Sequence, residues 1–158
     1  MYERILVPLD GSSIAAKALE QAEALAEKIG ASLILVRVIH TLNELSQTAT
    51  PSVATQPAIS QDVIARTAGD RERAEARSYI ANEKEALQRR GLNVETHVGE
   101  GRPADQIIHT AQIAKAGLIV MTAYGAGGAH TRSEKNVFGG VADEVLRQSQ
   151  VPVLMIRP

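Results

Sequence analysis

Short runs of consecutive apolar residues recur along the chain and predict buried β-strands. Four of these runs are rich in Leu or in β-branched residues, at positions 5–9, 33–39, 118–121 and 151–156. Apolar residues in succession are typical of strands covered on both faces, as in a parallel sheet. A fifth strand is predicted at 94–98, where apolar and polar residues alternate and favour an edge position.

Helices are predicted in the segments between these strands. The first follows from apolar residues at helical spacing, Ile14, Ala18, Ala22, Leu25 and Ile29. Ser12 or Ser13 can cap its start, and Gly30 can end it. Pro103 suits the first residue of another helix, and a further helix is predicted at about 140–148.

The central part of the chain contains two segments of different character. Residues 41–60 carry a single charge and many Ser, Thr and Ala residues, which predicts a long mobile loop. Residues 61–90 are highly charged, and Ala76, Ile80 and Leu87 mark a narrow buried face. This second pattern predicts a surface helix.

The alternation of strands and helices predicts an α/β fold, an open, doubly wound, five-stranded parallel sheet. A length of 158 residues suits a single domain that spans 1–158. In such folds, ligands bind beyond the carboxyl ends of the strands, where the chain order reverses. Functional residues are therefore expected directly after strands, above all at 10–13 and 122–140.

The composition excludes several classes of protein. The net charge is -1 and aromatic residues make up 3% of the chain, so neither a basic nucleic-acid face nor a stacking platform is expected. The absence of Cys excludes disulfides and thiolate metal sites. No apolar run approaches the ~20 residues of a membrane span. We therefore expect a soluble, cytoplasmic protein with neither a nucleic-acid nor a membrane partner.

Two segments after strands carry candidate chemistry. The turn Pro8-Leu9-Asp10-Gly11-Ser12 places a carboxylate before a helix start, where it can accept hydrogen bonds from a sugar or a base; ordinary turn and capping chemistry explains the same residues. The stretch 122–140 is rich in glycine, and converging backbone N–H groups there suit phosphate oxygens. Thr131, Arg132, Ser133 and Lys135 can add donors, although such loops are often merely flexible.

Other catalytic and metal motifs are missing from the sequence. There is no P-loop and no G-x-G-x-x-G turn, and the four histidines, His40, His97, His109 and His130, lack metal-ligand spacing. No nucleophile elbow or pair of carboxylates placed for acid–base work is present. We therefore assign no catalytic and no metal-binding residues.

The same residues resemble the universal stress protein family. Ile5-Leu-Val-Pro-Leu-Asp-Gly-Ser12 is similar to its first strand and turn, and Gly101-Arg-Pro-Ala104 to the start of a helix. The segments 139–146 and 151–157 are similar to its closing helix and strand. The resemblance implies a Rossmann-like fold of the adenine nucleotide alpha hydrolase type, with strand order 3-2-1-4-5.

The nucleotide-binding branch of this family has the pattern G-x2-G-x9-G-[ST] after the fourth strand, and this chain departs from it. Thr122 stands at the first glycine, and Gly140 replaces the hydroxyl residue at the last position. Gly125 and Gly139 match, but thirteen residues separate them, four more than in the pattern. Arg132 and Lys135 in the longer loop can compensate for the lost hydroxyl.

The resemblance implies an adenine nucleotide, ATP or AMP, as ligand, with Mg²⁺ as the ion that can accompany it. Transferred position by position, the implied binding residues are Pro8, Asp10, Val38, Met121, Thr122, Gly125, Gly139, Gly140 and Val141. Asp10 and Val38 are assigned to the ribose and adenine end, and the glycines with Val141 to the phosphates. The resemblance also implies a homodimer joined through the last strand, from Val151 to Ile156.

Three functions follow from these observations. The first is a dimeric stress-response protein that binds ATP or AMP as a regulatory ligand. The second is a dimeric scaffold that binds no nucleotide and acts through protein–protein contacts, an alternative favoured by the changes at Thr122 and Gly140. The third, ranked lowest, is a slow ATPase or phosphotransferase that uses Mg²⁺.

Overall fold

The computed structural model describes residues 2–39, 58–125 and 138–157, and in residues 58–65 the backbone alone. Nine helices and strands lie in these ranges. The strands are β1 (Arg4–Pro8), β2 (Ser32–Ile39), β3 (Val94–Glu100), β4 (Leu118–Thr122) and β5 (Val153–Ile156). The helices are α1 (Ser13–Ile29), α2 (Ala58–Arg89), α3 (Pro103–Ile113) and α4 (Gly140–Gln148).

The five strands form one parallel sheet in the order β3-β2-β1-β4-β5. In the centre, Leu6 of β1 is opposite Ile34 of β2 on one side and Ile119 of β4 on the other. The chain first moves outward from β1 to β3 and then returns to β4. The predicted fold and strand order are confirmed, and the chain order reverses between β1 and β4.

Each face of the sheet has its own apolar core, because successive residues of a strand point to opposite faces. Ile5 and Val7 belong to the cluster formed with α1 and α2, whereas Leu6 belongs to the cluster formed with α3 and α4. All three side chains are fully buried. This double burial explains why the central strands are apolar at consecutive positions.

Helix α1 begins and ends at the predicted caps, but its buried face differs from the predicted stripe. Ser12 Oγ accepts a hydrogen bond from Ala15 N, and Gly30 adopts a left-handed conformation with φ of 70°. The buried residues are Ala15, Ala18, Leu19, Ala22, Glu23 and Ala26. Ile29 is 48% exposed, so its place in the stripe was wrong; it lies in the last turn, directly before the cap.

Helix α2 is the longest element and runs antiparallel to the strands it connects. Ala76, Ile80 and Leu87 are buried, as predicted. The helix begins at Ala58, so the predicted loop at 41–60 was wrong for its last three residues; residues 41–57 lie outside the described part. With 32 residues it is roughly 48 Å long. Arg73, near its middle, contacts Glu100 at the end of β3, so its first half extends past the carboxyl edge of the sheet.

Strand β5 is an edge strand and is shorter than the predicted 151–156. Val151, Val153 and Met155 pack against the core formed with α3 and α4. The exposed apolar side chain of this strand is Leu154, at 42%. An apolar contact surface on β5 would therefore be centred on Leu154.

Among the described residues, the helices are all too short or too polar to cross a membrane.

Candidate functional site

A cavity of about 550 Å³ opens at the carboxyl ends of β1, β2 and β4. Its volume lies within the range of roughly 300–1,000 Å³ that small-molecule sites occupy. The nine residues predicted to bind nucleotide all line it: Pro8, Asp10, Val38, Met121, Thr122, Gly125, Gly139, Gly140 and Val141. Their contact with a ligand stays a prediction, but the fold gathers them at the reversal of chain order, as expected.

The turn after β1 fixes the carboxylate of Asp10. Its Oδ1 accepts hydrogen bonds from Ser12 N at 2.9 Å and from Ser12 Oγ at 2.5 Å. Gly11 between them has a φ of 81°, a conformation that L side chains rarely adopt. Asp10 thus closes an Asx turn that leads into α1, and the residue is exposed at the edge of the cavity.

Gly125, which follows β4, lies close to Asp10, which follows the neighbouring strand β1. A Cβ atom at Gly125 would lie 2.7 Å from Oδ2 of Asp10, closer than side chains tolerate. The missing side chain therefore lets the backbone after β4 approach the carboxylate after β1. Such a close approach is the reason for a glycine at this position.

Thr122, which replaces a glycine of the family pattern, makes a hydrogen bond within the protein. Its side chain lines the cavity and its Oγ1 donates a hydrogen bond to the carbonyl of Tyr124 at 2.8 Å. The residue is 8% exposed. The hydroxyl thereby holds the turn between β4 and Gly125.

The start of α4 forms the opposite wall of the cavity. Gly139 N donates to the carbonyl of Ala123 at 2.8 Å, which ties the helix start to the end of β4. Gly139 is the N-cap and supplies no side-chain cap. Because the first N–H groups of a helix lack intrahelical partners, this end of α4 suits an anion. At Gly140 a Cβ would meet no atom within 4 Å.

Acidic residues follow in the first turns of α4, and each is paired with an arginine. Asp143 accepts from Arg147 Nε at 2.8 Å, and Glu144 accepts from Arg102 Nη2 at 2.5 Å. Arg102 is the N-cap of α3, so the second pair joins the starts of the two helices. These arginines reduce the negative charge near the cavity.

The sequence did not identify several residues of the cavity wall. Apolar walls come from residues of β2, α3 and the helix starts, namely Leu9, Ala15, Val36, Pro103, Ile107 and Ala142. Two charged residues, Arg37 of β2 and Glu72 of α2, were also missed. Arg37 lies within an apolar run that indicates only a strand, and Glu72 is one of many charges on its helix.

Tyr79 of α2 lies close to this charged part of the wall. Burial raises the pKa of Tyr79, as do the carboxylates of Glu83 and Asp10, whereas the Arg37 guanidinium lowers it. Burial is the largest of these effects.

The remaining candidate residues are placed elsewhere or are not described. His97 is half-buried on β3 and His109 is exposed on α3. His40, His130, Thr131, Arg132, Ser133 and Lys135 lie outside the described residues. Within the described ranges, no three His, Asp or Glu side chains are grouped so that they could hold a metal ion.

Comparison with known proteins gives a family match over nearly the whole chain. The model of the universal stress protein family matches residues 1–157. Universal stress protein YxiE of Bacillus subtilis is 29% identical over 157 residues, which cover 99% of this chain and 100% of YxiE. Universal stress protein MJ0531 of Methanocaldococcus jannaschii is 26% identical over 99% of this chain and 83% of its own length.

Solved structures share the fold. UspA of Lactobacillus plantarum has a TM-score of 0.78 at 25% identity, with 99% of this chain and 98% of that chain covered. A universal stress protein from Archaeoglobus fulgidus in complex with dAMP has a TM-score of 0.58 at 21% identity, covering 98% of each chain. A universal stress protein in complex with cAMP has a TM-score of 0.58 at 23% identity, with 99% of this chain and 97% of that chain covered.

The family model, the curated relatives and the sheet order agree. The chain belongs to the universal stress protein family.

Proposed function

We propose that this protein binds an adenine nucleotide, ATP or AMP, as a regulatory ligand in a stress response in the cytoplasm. The observation that carries the proposal is the contact between Gly125 and Asp10 at the mouth of a cavity of about 550 Å³. It brings a carboxylate suited to ribose hydroxyls beside a glycine backbone suited to phosphates. The proposal treats residues 1–158 as one domain.

Adenine would be enclosed by aliphatic side chains. Val36 and Val38 of β2, Ile107 of α3 and Met121 of β4 line one part of the cavity. Apolar walls with a few placed polar groups are typical of small-molecule sites. Ribose hydroxyls would donate to Asp10, whose orientation the bonds from Ser12 fix in advance.

Phosphates would lie against the glycines and the start of α4. The backbone N–H groups of Gly140 and Val141, in the first turn of α4, would donate to phosphate oxygens, with no side-chain cap in competition. Two family members of similar fold are known in complex with cAMP and dAMP, which supports an adenine nucleotide over other ligands. Mg²⁺, if a triphosphate brings it, would be held mainly by the phosphates.

We further propose a homodimer joined through β5, with Leu154 at its centre. Leu154 is 42% exposed on an edge strand, and an uncovered apolar edge favours pairing with a second chain. The same dimer is compatible with the scaffold function.

The replacement of a hydroxyl residue by Gly140 favours the alternative of a scaffold that binds no nucleotide, because a donor to phosphate is missing.

Isothermal titration of the purified protein with ATP, ADP and AMP tests the nucleotide proposal. Mass spectrometry of co-purifying small molecules adds an independent measurement. We expect saturable binding of at least one of the three nucleotides. The absence of binding at millimolar concentration, with no nucleotide co-purified, would leave the scaffold function in its place.

A further inference from the structure

Arg37 places a positive charge at the side of the cavity that belongs to β2. Its Nη1 donates to the carbonyl of Leu9 at 3.3 Å. Its guanidinium also lies over Gly11 of the turn. A Cβ atom at Gly11 would be 3.7–3.8 Å from the guanidinium atoms. The side chain is half-buried and lines the cavity together with Asp10 and Glu72.

This guanidinium has no counterion among residues 2–39, 66–125 and 138–157. No carboxylate oxygen in those ranges lies within 4.0 Å of its nitrogens, and its buried Nε has no hydrogen-bond partner. By contrast, Arg4, Arg90 and Arg102 are each paired with a glutamate, although the buried Nε of Arg4 also has no hydrogen-bond partner. A half-buried guanidinium that has no counterion in the described ranges is suited to an anionic ligand, because burial of a charge without an opposite charge beside it is unfavourable.

The strand order separates Arg37 from the proposed phosphate-binding glycines. Arg37 belongs to β2, Asp10 follows β1, and Gly125 follows β4, on the far side of β1. Two strand spacings amount to roughly 10 Å. A ribose at Asp10 would therefore have its 5′-phosphates toward Gly125 and another edge toward Arg37.

We propose that Arg37 binds a phosphoryl group carried on the 2′- or 3′-hydroxyl of the ribose, so that the preferred ligand is an adenosine bisphosphate. This inference rests on the proposed nucleotide function. A carboxylate beside a guanidinium matches a ribose that offers a free hydroxyl as donor next to a phosphoryl group as acceptor. Arg suits phosphate in particular because its planar fork can donate two parallel hydrogen bonds.

Glu72 limits what this subsite can hold. It lines the cavity together with Arg37 and Asp10 and contributes a second carboxylate, from α2. A single phosphoryl group in direct contact with Arg37 gains more from the guanidinium than it loses to more distant carboxylates, because Coulomb energy falls with distance. A chain of phosphates would extend toward the carboxylates. We therefore assign one phosphoryl group to Arg37 and the 5′ chain to the glycines.

Titration calorimetry with AMP, adenosine 2′,5′-bisphosphate and adenosine 3′,5′-bisphosphate tests the subsite on the unmodified protein. We expect one of the bisphosphates to bind at least tenfold more tightly than AMP. The stronger of the two identifies the hydroxyl that carries the group. Equal affinities for all three ligands would overturn the subsite while leaving the nucleotide function intact; the absence of binding by AMP, ATP and both bisphosphates would overturn both.

The variant Arg37→Met removes the charge and keeps much of the side-chain volume. The ratio of the Kd for AMP to the Kd for the bisphosphate should fall from at least ten to about one. Arg37→Lys should retain part of the ratio, because a charge remains without the planar fork. Arg89→Met, which removes an exposed charge in the last turn of α2, shortly before β3 begins, is the matched control and should leave the ratio unchanged. A ratio that stays the same in Arg37→Met, with the fold intact by circular dichroism, contradicts the proposal.

Discussion

Oδ2 of Asp10 lies 2.7 Å from the place that a Cβ atom would occupy at Gly125. The two residues come from the ends of neighbouring strands, so their contact joins the first turn of the chain to the segment after β4. Any side chain at position 125 must displace either the carboxylate or its own backbone. The site therefore depends on the absence of a single methyl group.

Replacement of Gly125 by Ala should weaken nucleotide binding at least tenfold. The new Cβ would push the carboxylate of Asp10 out of its orientation, while the fold itself would be little affected because both residues lie at the edge of the cavity. Titration calorimetry measures the affinity, and thermal unfolding checks the fold. Gly140→Ala is the matched control, since a Cβ there meets nothing within 4 Å; an equal loss in both variants would contradict the mechanism.

Replacement of Gly140 by Ser should strengthen binding of AMP or ATP. The position has room for the side chain and lies at the start of α4, and the new hydroxyl can donate to a phosphate. A hydrogen bond to a charged group contributes about 1.5–3 kcal/mol, so we expect a gain of about tenfold or more. Gly140→Ala separates the hydroxyl from the effect of the Cβ. Equal affinities of the Ser and Ala variants would show that no phosphate lies within reach.

Replacement of Arg90 by Met should destabilise the protein by leaving a buried carboxylate without its partner. Glu23 of α1 is 11% exposed and paired with Arg90, which is 63% exposed. Solvent at Arg90 screens the pair, so we expect a loss of about 1–2 kcal/mol in the free energy of unfolding. Urea denaturation measures the loss. Glu23→Gln removes the buried negative charge. In that background, Arg90→Met should lower the free energy of unfolding by less than it does in the unchanged protein.

The contact between Arg73 and Glu100 should make stability depend on pH. The hydrogen bond from Arg73 is the main reason that the pKa of Glu100 lies below its usual value. A lowered pKa stabilises the folded state above the ordinary pKa of the carboxyl, and this stabilisation is lost as the pH falls through the lowered pKa. Glu100→Gln should therefore be less stable than the unchanged protein near neutral pH.

Urea denaturation of Glu100→Gln over a pH series measures this dependence. The difference from the unchanged protein should shrink toward zero in acid, where Glu100 is itself protonated. Glu85→Gln, an exposed position on α2, serves as the comparison. A difference that is constant with pH would show that the pair does not contribute through its charge.

Replacement of Leu154 by Asp should convert the proposed dimer into monomers. A charge at the exposed apolar position of the edge strand would have to be buried in the interface, which is unfavourable without a partner. Sedimentation velocity at several concentrations measures the change. Val153→Asp is unsuited to the test because Val153 packs against the core. A chain that is monomeric before the change would refute the dimer.

The fold could be predicted because burial on both faces leaves a direct mark on the sequence. Leu6 and Val7 point to different cores, so neither can be polar, and the same holds for Ile34 and Leu35. The strand order came from the family resemblance and is confirmed. The error at Ile29 arose because apolar spacing alone does not show which residues of the last turn, next to the cap, are open to solvent.

The candidate site could be predicted only in part. Asp10 and Gly125 stand in turns directly after strands, and the parallel topology brings such turns together. Arg37 and Glu72 could not be found in this way, because their positions depend on how the long helix α2 passes the carboxyl edge of β2. That geometry is tertiary, and no spacing along the chain encodes it.

The hydroxyl of Ser12 donates to Asp10 and accepts from the backbone of Ala15. One atom thus links the carboxylate of the cavity to the first turn of α1. A ligand that holds Asp10 in place would also restrain the fraying of this turn, and fraying is what exposes its amide protons to solvent. Amide hydrogen exchange at the start of α1 should then slow when the site fills, which makes this helix end a reporter of occupancy.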